Sequence, residues 1–311
     1  MEILKRQTNF DFMGQRKLAM IFSGVLLLVS VVSLGVRGLN YGIDFTGGVL
    51  IEVGYPDTAD LVQIRTDLAS AGFPGATVQY FGTTHDVLVR LAPREEVSKA
   101  ELSSEVLRVL RKSGGDMQLR RVEFVGPQVG EELREQGGLA MLIALGAILI
   151  YVSLRFQWKF SLGAVAALFH DVIVTIGFFS VLGLEFNLTV LAAVLAVIGY
   201  SLNDTIVVFD RVRENFRTMR KGTAVEIFNR SLNQTLSRTL MTSLTTLLVL
   251  VTLFFLGGEL IHEFSTALIV GVVIGTYSSI YVASTSALAL GVMKADLMPV
   301  QKEGAEADAR P

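Results

Sequence analysis

The chain has 311 residues, of which 51% are hydrophobic and 18% charged, and its formal net charge is −2. The mean hydropathy of +0.53 is too high for a soluble domain of this length, so composition predicts a membrane protein. The near-neutral charge gives no sign of a nucleic-acid-binding surface. The phosphate-binding motif Gly-x-x-x-x-Gly-Lys-Ser/Thr is missing from the sequence, which excludes a P-loop ATPase.

Six apolar stretches predict a polytopic α-helical membrane protein with six transmembrane helices. Each is long enough to cross a hydrocarbon core of about 30 Å, which takes roughly 20 helical residues. The first could also be a signal peptide, but its basic region is long and no Ala-x-Ala cleavage site follows it, so a retained anchor is expected. The stretches lie near Leu18–Val36, Gly137–Leu154, Phe160–Leu184, Phe186–Phe209, Leu240–Gly257 and Phe264–Val292.

Lysine and arginine collect before the first stretch, between the second and third, and between the fourth and fifth, whereas the connections 184–185 and 258–263 carry none. Since cytoplasmic loops carry the excess of these residues, both termini are expected in the cytoplasm, and Thr223–Leu236 could form an amphipathic interfacial helix. The expected organisation is a cytoplasmic segment 1–17, transmembrane helix 18–36, extracytoplasmic domain 37–136, transmembrane helices two to six over 137–292 and a polar cytoplasmic tail 293–311.

The segment of about 40 to 135 is expected to form a small α+β domain of its own. Alternating and β-rich runs predict strands, and leucine, valine and isoleucine at helical spacing predict helices. The resulting order βαββαβ is the ferredoxin-like pattern, which by itself assigns no function. The predicted strands are Gly48–Tyr55, Thr77–Phe81, Asp86–Leu91 and Met117–Phe124, and the helices lie near Thr58–Ala71 and Arg94–Arg111.

Two carboxylates inside apolar stretches are the strongest functional signal. Asp204 lies in the fourth stretch and Asp171 near the middle of the third. Acidic side chains near hydrocarbon are costly and usually mark ion pathways or buried pairs, so the chain is expected to move something or to use ion movement. Asp204 precedes Asp210 by six residues, which places it about 9 Å inside the cytoplasmic boundary.

Arg238 enters the fifth stretch from the same boundary, so we expect it to lie at the depth of Asp204. A nearby guanidinium favours the charged carboxylate and desolvation favours the neutral one, so movement of the arginine would switch protonation. The alternatives are a static ion pair, or an Arg238 that snorkels and only anchors its helix. Asn203 beside Asp204 and Thr242 one turn after Arg238 are weaker candidates for the same path.

His170 and Asp171 are further candidates near the bilayer middle, where a histidine could titrate near neutral pH. Because neighbours in a helix point about 100° apart, we do not expect the two side chains to pair. One could face the bundle and the other a neighbouring subunit. A structural hydrogen-bonded role is favoured for His170, and both roles stay open for Asp171.

Three segments resemble the SecF family, the membrane partner of SecD in bacterial protein export. The match follows the order of the chain and covers most of it. Its first segment contains Gly42, Asp44, Phe45, Gly47 and Gly48 as the family motif. The segments are residues 42–48 (GIDFTGG), 124–130 (FVGPQVG) and 197–215 (VIGYSLNDTIVVFDRVREN).

The resemblance implies membership of the resistance-nodulation-division superfamily, in which SecD and SecF each supply six spans. It implies a bacterial inner-membrane subunit that uses the proton-motive force to promote late steps of preprotein translocation, with Asp204 and Arg238 on the proton path. It implies no cofactor, and protons as the coupling ion with sodium as the alternative. The implied partners are a SecD-type protein, the SecYEG channel and the translocating preprotein, with YajC and YidC as further candidates.

Three other functions make different demands on the sequence. An intramembrane aspartyl protease would place Gly-x-Gly before its aspartate, which neither Asp204 nor Asp171 has. Half of a proton-coupled lipid or small-molecule exporter of the same superfamily is the alternative within transport. A non-conducting scaffold subunit of the translocon would tolerate Asp204→Asn, whereas a transporter would not.

Overall fold

The computed structural model describes residues 8–92, 99–114, 117–219 and 221–293. In chain order its helices are α1 Arg16–Val36, α2 Ile43–Thr46, α3 Leu61–Ser70, α4 Lys99–Gly114, α5 Pro127–Arg155, α6 Trp158–Leu182, α7 Leu188–Thr218, α8 Ala224–Leu256, α9 Glu259–Ser278 and α10 Ser284–Ala289, with a π-helical turn at Ser279–Ala283. Its strands are β1 Asn40–Tyr41, β2 Gly48–Gly54, β3 Thr77–Phe81, β4 Thr83–Leu91, β5 Gln118–Val125 and β6 Glu185–Phe186.

The prediction of six membrane-spanning helices is confirmed. The spans are α1, α5, α6, α7, α8 and the continuous segment Ile261–Ala289 that contains most of α9, the π-helical turn and α10. The expected polar tail from residue 294 onward lies outside the described residues. The π-helical turn falls in the last span, beside the buried Ser278 and Ser279.

The interfacial helix expected at Thr223–Leu236 is not a separate element, because it continues into the fifth span as α8. Thr223 and Glu226 form a capping box at its start, with the Thr223 hydroxyl accepting from the Glu226 amide at 3.3 Å. Glycine and proline do not occur between Ala224 and Leu256, so nothing interrupts the helix where it enters the membrane.

Local signals also set the ends of the other spans. Pro127 occupies the first turn of α5, where a missing amide hydrogen costs nothing. The Asn187 side chain caps α7 by accepting from the Val190 amide at 3.0 Å. At the end of α6, Gly183 takes the left-handed conformation with φ of +66°, which stops the helix.

Three spans form the centre of the membrane bundle and three surround it. The apolar windows of α6 and α7 are 56% buried and that of the last span is 50% buried, whereas those of α1, α5 and α8 are 11–17% buried. Phe160, Phe209 and Phe228 pack together near one end, with ring centroids 5.0 and 6.4 Å apart. Gly271 and Gly275 lie against Val197 and Ser201, so α9 approaches α7 closely.

Residues between α1 and α5 form a small domain with one antiparallel sheet in the order β3-β4-β2-β5. The elements follow each other as β2, α3, β3, β4, α4 and β5, which is the order read from the sequence, while the ferredoxin-like assignment stays a prediction. The core of the domain includes Val49, Ile51 and Val53 from β2 with Leu68 of α3 and Leu110 of α4. The opposite face carries Leu50 and Leu88, which cluster with Ile43.

Side-chain hydrogen bonds connect the segment before α1 to α8. The Asn233 side chain accepts from the Phe10 amide at 2.8 Å and donates to the Phe10 carbonyl at 2.9 Å. The Asn229 side chain donates to the Asp11 carboxylate at 2.6 Å and accepts from the Met13 amide at 3.0 Å. These bonds hold the start of the chain against the helix that carries Arg238.

Candidate functional site

Asp204 lies in α7, the central helix of the bundle, and its residue surface is only 2% exposed. Its Oδ2 atom is buried and has no hydrogen-bond partner among the residues that the structure describes. Asp210, six residues later, is partly exposed and pairs with Arg155 at 2.7 Å. At about 1.5 Å per residue, Asp204 lies roughly 9 Å further inside the bundle than this ion pair. A buried carboxylate with an unbonded oxygen can gain or lose a proton without breaking a hydrogen bond there.

Arg238 lies in α8, close enough to Asp204 to act on it electrostatically. Among the described residues, however, no ion pair joins the two side chains, and Arg238 is exposed on the surface of the bundle. Arginine keeps its positive charge at any accessible pH, so it would act as a counter-charge and not as a proton carrier. Among the described residues the two side chains are therefore not in direct contact, and a joint role for Asp204 and Arg238 stays a prediction.

The two weaker candidates near this pair are placed differently from each other. Asn203 is exposed at membrane depth on the surface of α7. The Thr242 hydroxyl donates within its own helix, to the carbonyls of Thr239 at 2.9 Å and Arg238 at 3.2 Å. This back-bonding is the ordinary role of threonine in a membrane helix, so the geometry gives Thr242 no direct link to Asp204.

Asp171 is the centre of a buried hydrogen-bond network between three helices. Its Oδ2 atom accepts from the Ser201 hydroxyl of α7 at 2.5 Å and from the Ser278 hydroxyl of α9 at 2.6 Å. Its Oδ1 atom lies 2.9 Å from Nδ1 of His170. Asp171 is 0% exposed and His170 is 3% exposed, so both face the inside of the bundle.

The expectation that His170 and Asp171 would not pair is therefore wrong, as is the idea that one could face a neighbouring subunit. The Cβ atoms of neighbouring helix residues do point about 100° apart. The imidazole ring is nevertheless long enough to reach the carboxylate of the next residue. Leaving a buried donor without a hydrogen bond costs more free energy than rotating the ring toward its neighbour. The Tyr277 ring packs beside the histidine, with centroids 6.4 Å apart, and limits its other orientations.

Sequence reasoning missed Ser201 and Ser278 as carboxylate partners. Ser201 stands three residues before Asp204 in α7, which is about one helical turn. The residue that bonds Asp171 of α6 is therefore a near neighbour of Asp204. The sequence did contain a signal for Ser201, because it is a polar residue one helical turn from an aspartate in an apolar run. For Ser278 the sequence carried no local signal, because its partner Asp171 is 107 residues away.

Hydroxyl groups also link α7, α8 and α9 beside this network. Tyr200 donates to the Ser243 hydroxyl at 3.0 Å, and Ser243 lies 2.7 Å from the Thr276 hydroxyl. The Thr239 hydroxyl, next to Arg238, is buried and has no hydrogen-bond partner within the described ranges. Among the residues described, no cluster of three or more His, Cys, Asp or Glu could hold a metal ion.

The segment with the family motif joins the small domain to the membrane bundle. The Asp44 carboxylate accepts from the Leu188 amide at the start of α7 at 2.9 Å. Phe45 is buried and stacks on Phe186 at 6.0 Å, and the Gly42 amide donates to the Phe186 carbonyl at 2.9 Å. The motif therefore attaches the domain to the helix that carries Asp204.

Two glycines of this motif are required by backbone conformation and space. Gly47 has φ of +68° and Gly48 φ of +133°, which side-chain-bearing residues rarely adopt. A Cβ on Gly47 would lie 2.8 Å from the Pro127 backbone, and one on Gly48 would lie 2.4 Å from the Leu91 carbonyl. The turn therefore packs directly against the start of α5.

Comparison with known proteins gives consistent similarities. The family described as "Protein export membrane protein SecD/SecF, C-terminal" matches residues 105–293, and the SecD/SecF GG motif matches residues 32–55. The chain is 54% identical to "Protein translocase subunit SecF" of Vibrio alginolyticus, over 100% of this chain and 99% of the relative. It is 52% identical to the protein of the same name from Pseudomonas aeruginosa, over 94% and 95% of the two chains.

Solved structures show the same similarity. The crystal structure of SecDF, a translocon-associated membrane protein from Thermus thermophilus, aligns with a TM-score of 0.84 and 39% identity. The alignment covers 93% of this chain but only 39% of the SecDF chain. A SecDF structure in a super-membrane-facing form aligns with a TM-score of 0.69 and 40% identity, over the same shares of the two chains.

Proposed function

We propose that this chain, which belongs to the SecD/SecF family of protein-export membrane proteins as a SecF-type subunit, uses an ion gradient to promote preprotein translocation together with a SecD-type partner. The observation that carries the coupling proposal is the buried Asp204 carboxylate, whose Oδ2 has no hydrogen-bond partner in the described part of the chain. Intramembrane carboxylates are costly to keep and are typical of proton and ion pathways. Arg238 would supply a fixed charge that favours the ionised form of Asp204 when it approaches.

A SecD-type partner is supported by polar groups left uncovered at membrane depth. Asn203 and Arg238 are both exposed on the surface of the six-span bundle. Exposed amides and charges are unfavourable in hydrocarbon, so a second bundle is needed to cover them. The alignment with this chain covers only 39% of the Thermus SecDF chain, so most of that chain lies outside the matched part.

Family membership supports, as proposals, the remaining partners and the energy source. The SecYEG channel and the emerging preprotein would be the working partners, with YajC and YidC as accessory candidates. A membrane potential of 100 mV supplies about 2.3 kcal/mol per charge moved, so repeated cycles would be needed to advance a preprotein. Protons are the proposed coupling ion, and sodium is the alternative. No cofactor is proposed.

The proposed orientation in the bacterial inner membrane has both termini in the cytoplasm and the small domain outside. Its support is the arginine and lysine content of the loops. Thr84 and Thr218 are both exposed. In this chain without cysteine, a cysteine at Thr84 should react with a membrane-impermeant maleimide in spheroplasts, and one at Thr218 should react only after lysis. The reverse pattern would overturn the orientation.

The coupling proposal is tested by Asp204→Asn, which keeps the size of the side chain but removes its titration. We expect normal abundance and partner binding, with loss of the export that a protonophore abolishes in the wild type. Asp204→Glu should keep part of the activity because a carboxylate remains. Asp57→Asn, at an exposed position of the small domain, is the matched control and should leave export unchanged.

Normal gradient-dependent export from a normally abundant Asp204→Asn variant would contradict ion coupling at this residue. It would favour the scaffold function, in which the subunit holds the translocon without conducting ions. Low abundance of the variant would instead indicate that the Asp204 carboxylate is needed for the packing of the bundle and not for ion transfer.

A further inference from the structure

A basic cavity lies where α5 ends and α7 leaves the membrane. Its volume is about 370 Å³. The Arg155 side chain comes from the last turn of α5, and the others come from the last turns of α7. The lining residues are Arg155, Asp210, Arg213, Glu214, Arg217 and Thr218.

Positive charge exceeds negative charge in this cavity. Arg155 and Arg213 share the single carboxylate of Asp210, at 2.7 and 3.6 Å. Glu214 is already paired with Arg211 at 2.9 Å. Arg217 is exposed and makes no hydrogen bond or ion pair with any residue that the structure describes. Within the described part of the chain, the cavity therefore has one cation without a counter-ion.

The two paired arginines are also held in fixed positions. Their guanidinium carbons lie 5.2 Å (Arg155) and 5.4 Å (Arg213) from the centre of the buried Phe156 ring. Nε of Arg213 is buried and has no acceptor in the structure. Stacking on an aromatic ring reduces the entropy lost when a guanidinium binds an anion. The cavity is thus prepared for an anion with several oxygen acceptors.

The neighbouring residues place the cavity at the level of lipid headgroups. Trp158 begins α6 three residues after Arg155 and is 61% exposed. Lys159 lies with its Nζ 5.8 Å from the Trp158 ring. Tryptophan and lysine at the end of a span are typical of the membrane interface, where phosphate groups of lipids lie.

We propose that this cavity binds the phosphodiester headgroup of an anionic phospholipid. Basic pockets between transmembrane helices are suited to such headgroups, and arginine matches the geometry of phosphate oxygens. The lipid would supply the counter-ion that Arg217 lacks and would connect the ends of α5 and α7. Soluble phosphate has the same chemistry, so the test must separate the two sources.

The chain contains a single tryptophan, which stands beside the cavity and makes lipid proximity measurable. The full-length chain is reconstituted in nanodiscs with any partner that co-purifies, and the Trp158→Phe variant is used to subtract other tryptophan signals. Quenching is compared between a brominated anionic phospholipid and brominated phosphatidylcholine, each mixed at the same low mole fraction into unlabelled phosphatidylcholine. We expect stronger quenching by the anionic lipid.

Arg217→Gln should raise the mole fraction of anionic lipid needed for half-maximal quenching by about fivefold, which corresponds to about 1 kcal/mol per basic residue at the membrane surface. Arg134→Gln removes an equal charge from an exposed position near the other end of α5 and should leave the value unchanged. Inorganic phosphate should weaken quenching no more than chloride at equal ionic strength.

Three results would overturn the proposal. Equal quenching by the two lipids, or quenching that is unchanged in Arg217→Gln, would show that the cavity does not select anionic lipid. Specific reversal by inorganic phosphate would identify a site for a soluble anion. Because Arg217 is exposed and has no hydrogen bond or ion pair among the described residues, Arg217→Gln is expected to retain its abundance and thermal stability, and both are measured alongside.

Discussion

Asp171 and Asp204 are both carboxylates buried in the centre of the bundle, but they differ in the hydrogen bonds that they accept. Asp171 is contacted by His170, Ser201 and Ser278, with both of its oxygens engaged. The Oδ2 atom of Asp204 accepts no hydrogen bond from any described residue. A fully bonded carboxylate would have to break hydrogen bonds to exchange its proton, so the contrast favours Asp204 for ion transfer and Asp171 for structure.

This contrast predicts that replacing aspartate by asparagine lowers thermal stability at position 171 and leaves it unchanged at position 204. Asp171→Asn replaces one acceptor oxygen by an amide donor, which leaves a buried serine or histidine donor unsatisfied at a cost of about 1–3 kcal/mol. Its melting temperature in detergent should fall, whereas that of Asp204→Asn should stay near the wild type. A lower melting temperature for Asp204→Asn alone would contradict these roles. Ser278→Ala, which removes one donor to Asp171, serves as a milder comparison.

At the scale of residues, the sequence was sufficient to find both aspartates, because carboxylates in apolar runs are rare. It could not supply their partners. Ser201 and Ser278 approach Asp171 from other helices, 30 and 107 residues away along the chain, and their positions depend on how α6, α7 and α9 pack. Whether His170 would turn back onto Asp171 depended on the same packing.

At the scale of elements, the small domain is attached to the bundle by a two-residue parallel pairing of β1 with β6. Arg90 of β4 pairs with Glu185 of β6 and donates to the Tyr41 carbonyl at 3.1 Å. Burial raises the pKa of the Glu185 carboxyl, the Arg90 guanidinium acts in the opposite direction, and Asp44 raises the pKa further. This junction therefore carries both a titratable group and the family motif.

The pKa of Glu185 predicts how docking of the domain depends on pH. Because the folded-state pKa lies above the unfolded value, the stabilising contribution is complete below the ordinary glutamate pKa and is lost as pH rises through the raised pKa. Hydrogen exchange of the Gly42 amide, which donates to Phe186, should accordingly speed up with pH beyond its intrinsic increase. Glu185→Gln should remove this extra dependence.

A double-mutant cycle at the same junction provides the control. Arg90→Ala leaves the Glu185 carboxylate without its cation, so the amide should exchange faster at neutral pH, with about 3–5 kcal/mol as the upper limit for a fully buried pair. Adding Glu185→Gln should restore part of the protection, since no unpaired charge remains. If the loss of protection in the double variant equalled the sum of the losses in the two single variants, the two side chains would not be coupled.

The long elements were predictable and the short ones were not. Twenty-residue apolar runs located all six spans, and β3 begins and ends where the sequence predicted. The pairing of β1 with β6 was missed because two-residue strands have no periodicity, and their pairing joins residues about 145 positions apart, as Asn40 and Glu185 show. The continuity of α8 was missed because its polar first half changes composition without interrupting the helix.

At the scale of the whole molecule, the chain forms a bundle whose centre is well packed and whose outer helices are exposed. The windows of α5 and α8 are only 11% and 17% buried. Much of this surface is apolar and suits lipid, but Asn203 and Arg238 are polar and exposed at membrane depth. We propose that a second six-span protein covers this region, and the working of the molecule depends on that contact.

The most direct test is cross-linking from that surface in native membranes. A photo-activatable group attached to a cysteine at Asn203 should capture a SecD-type protein, identified by mass spectrometry, and the complex should persist in mild detergent. The same group at Leu142, on the exposed face of α5, should capture much less of it. Labelling of lipid alone at Asn203, with the chain purifying as a stable monomer, would contradict the claim.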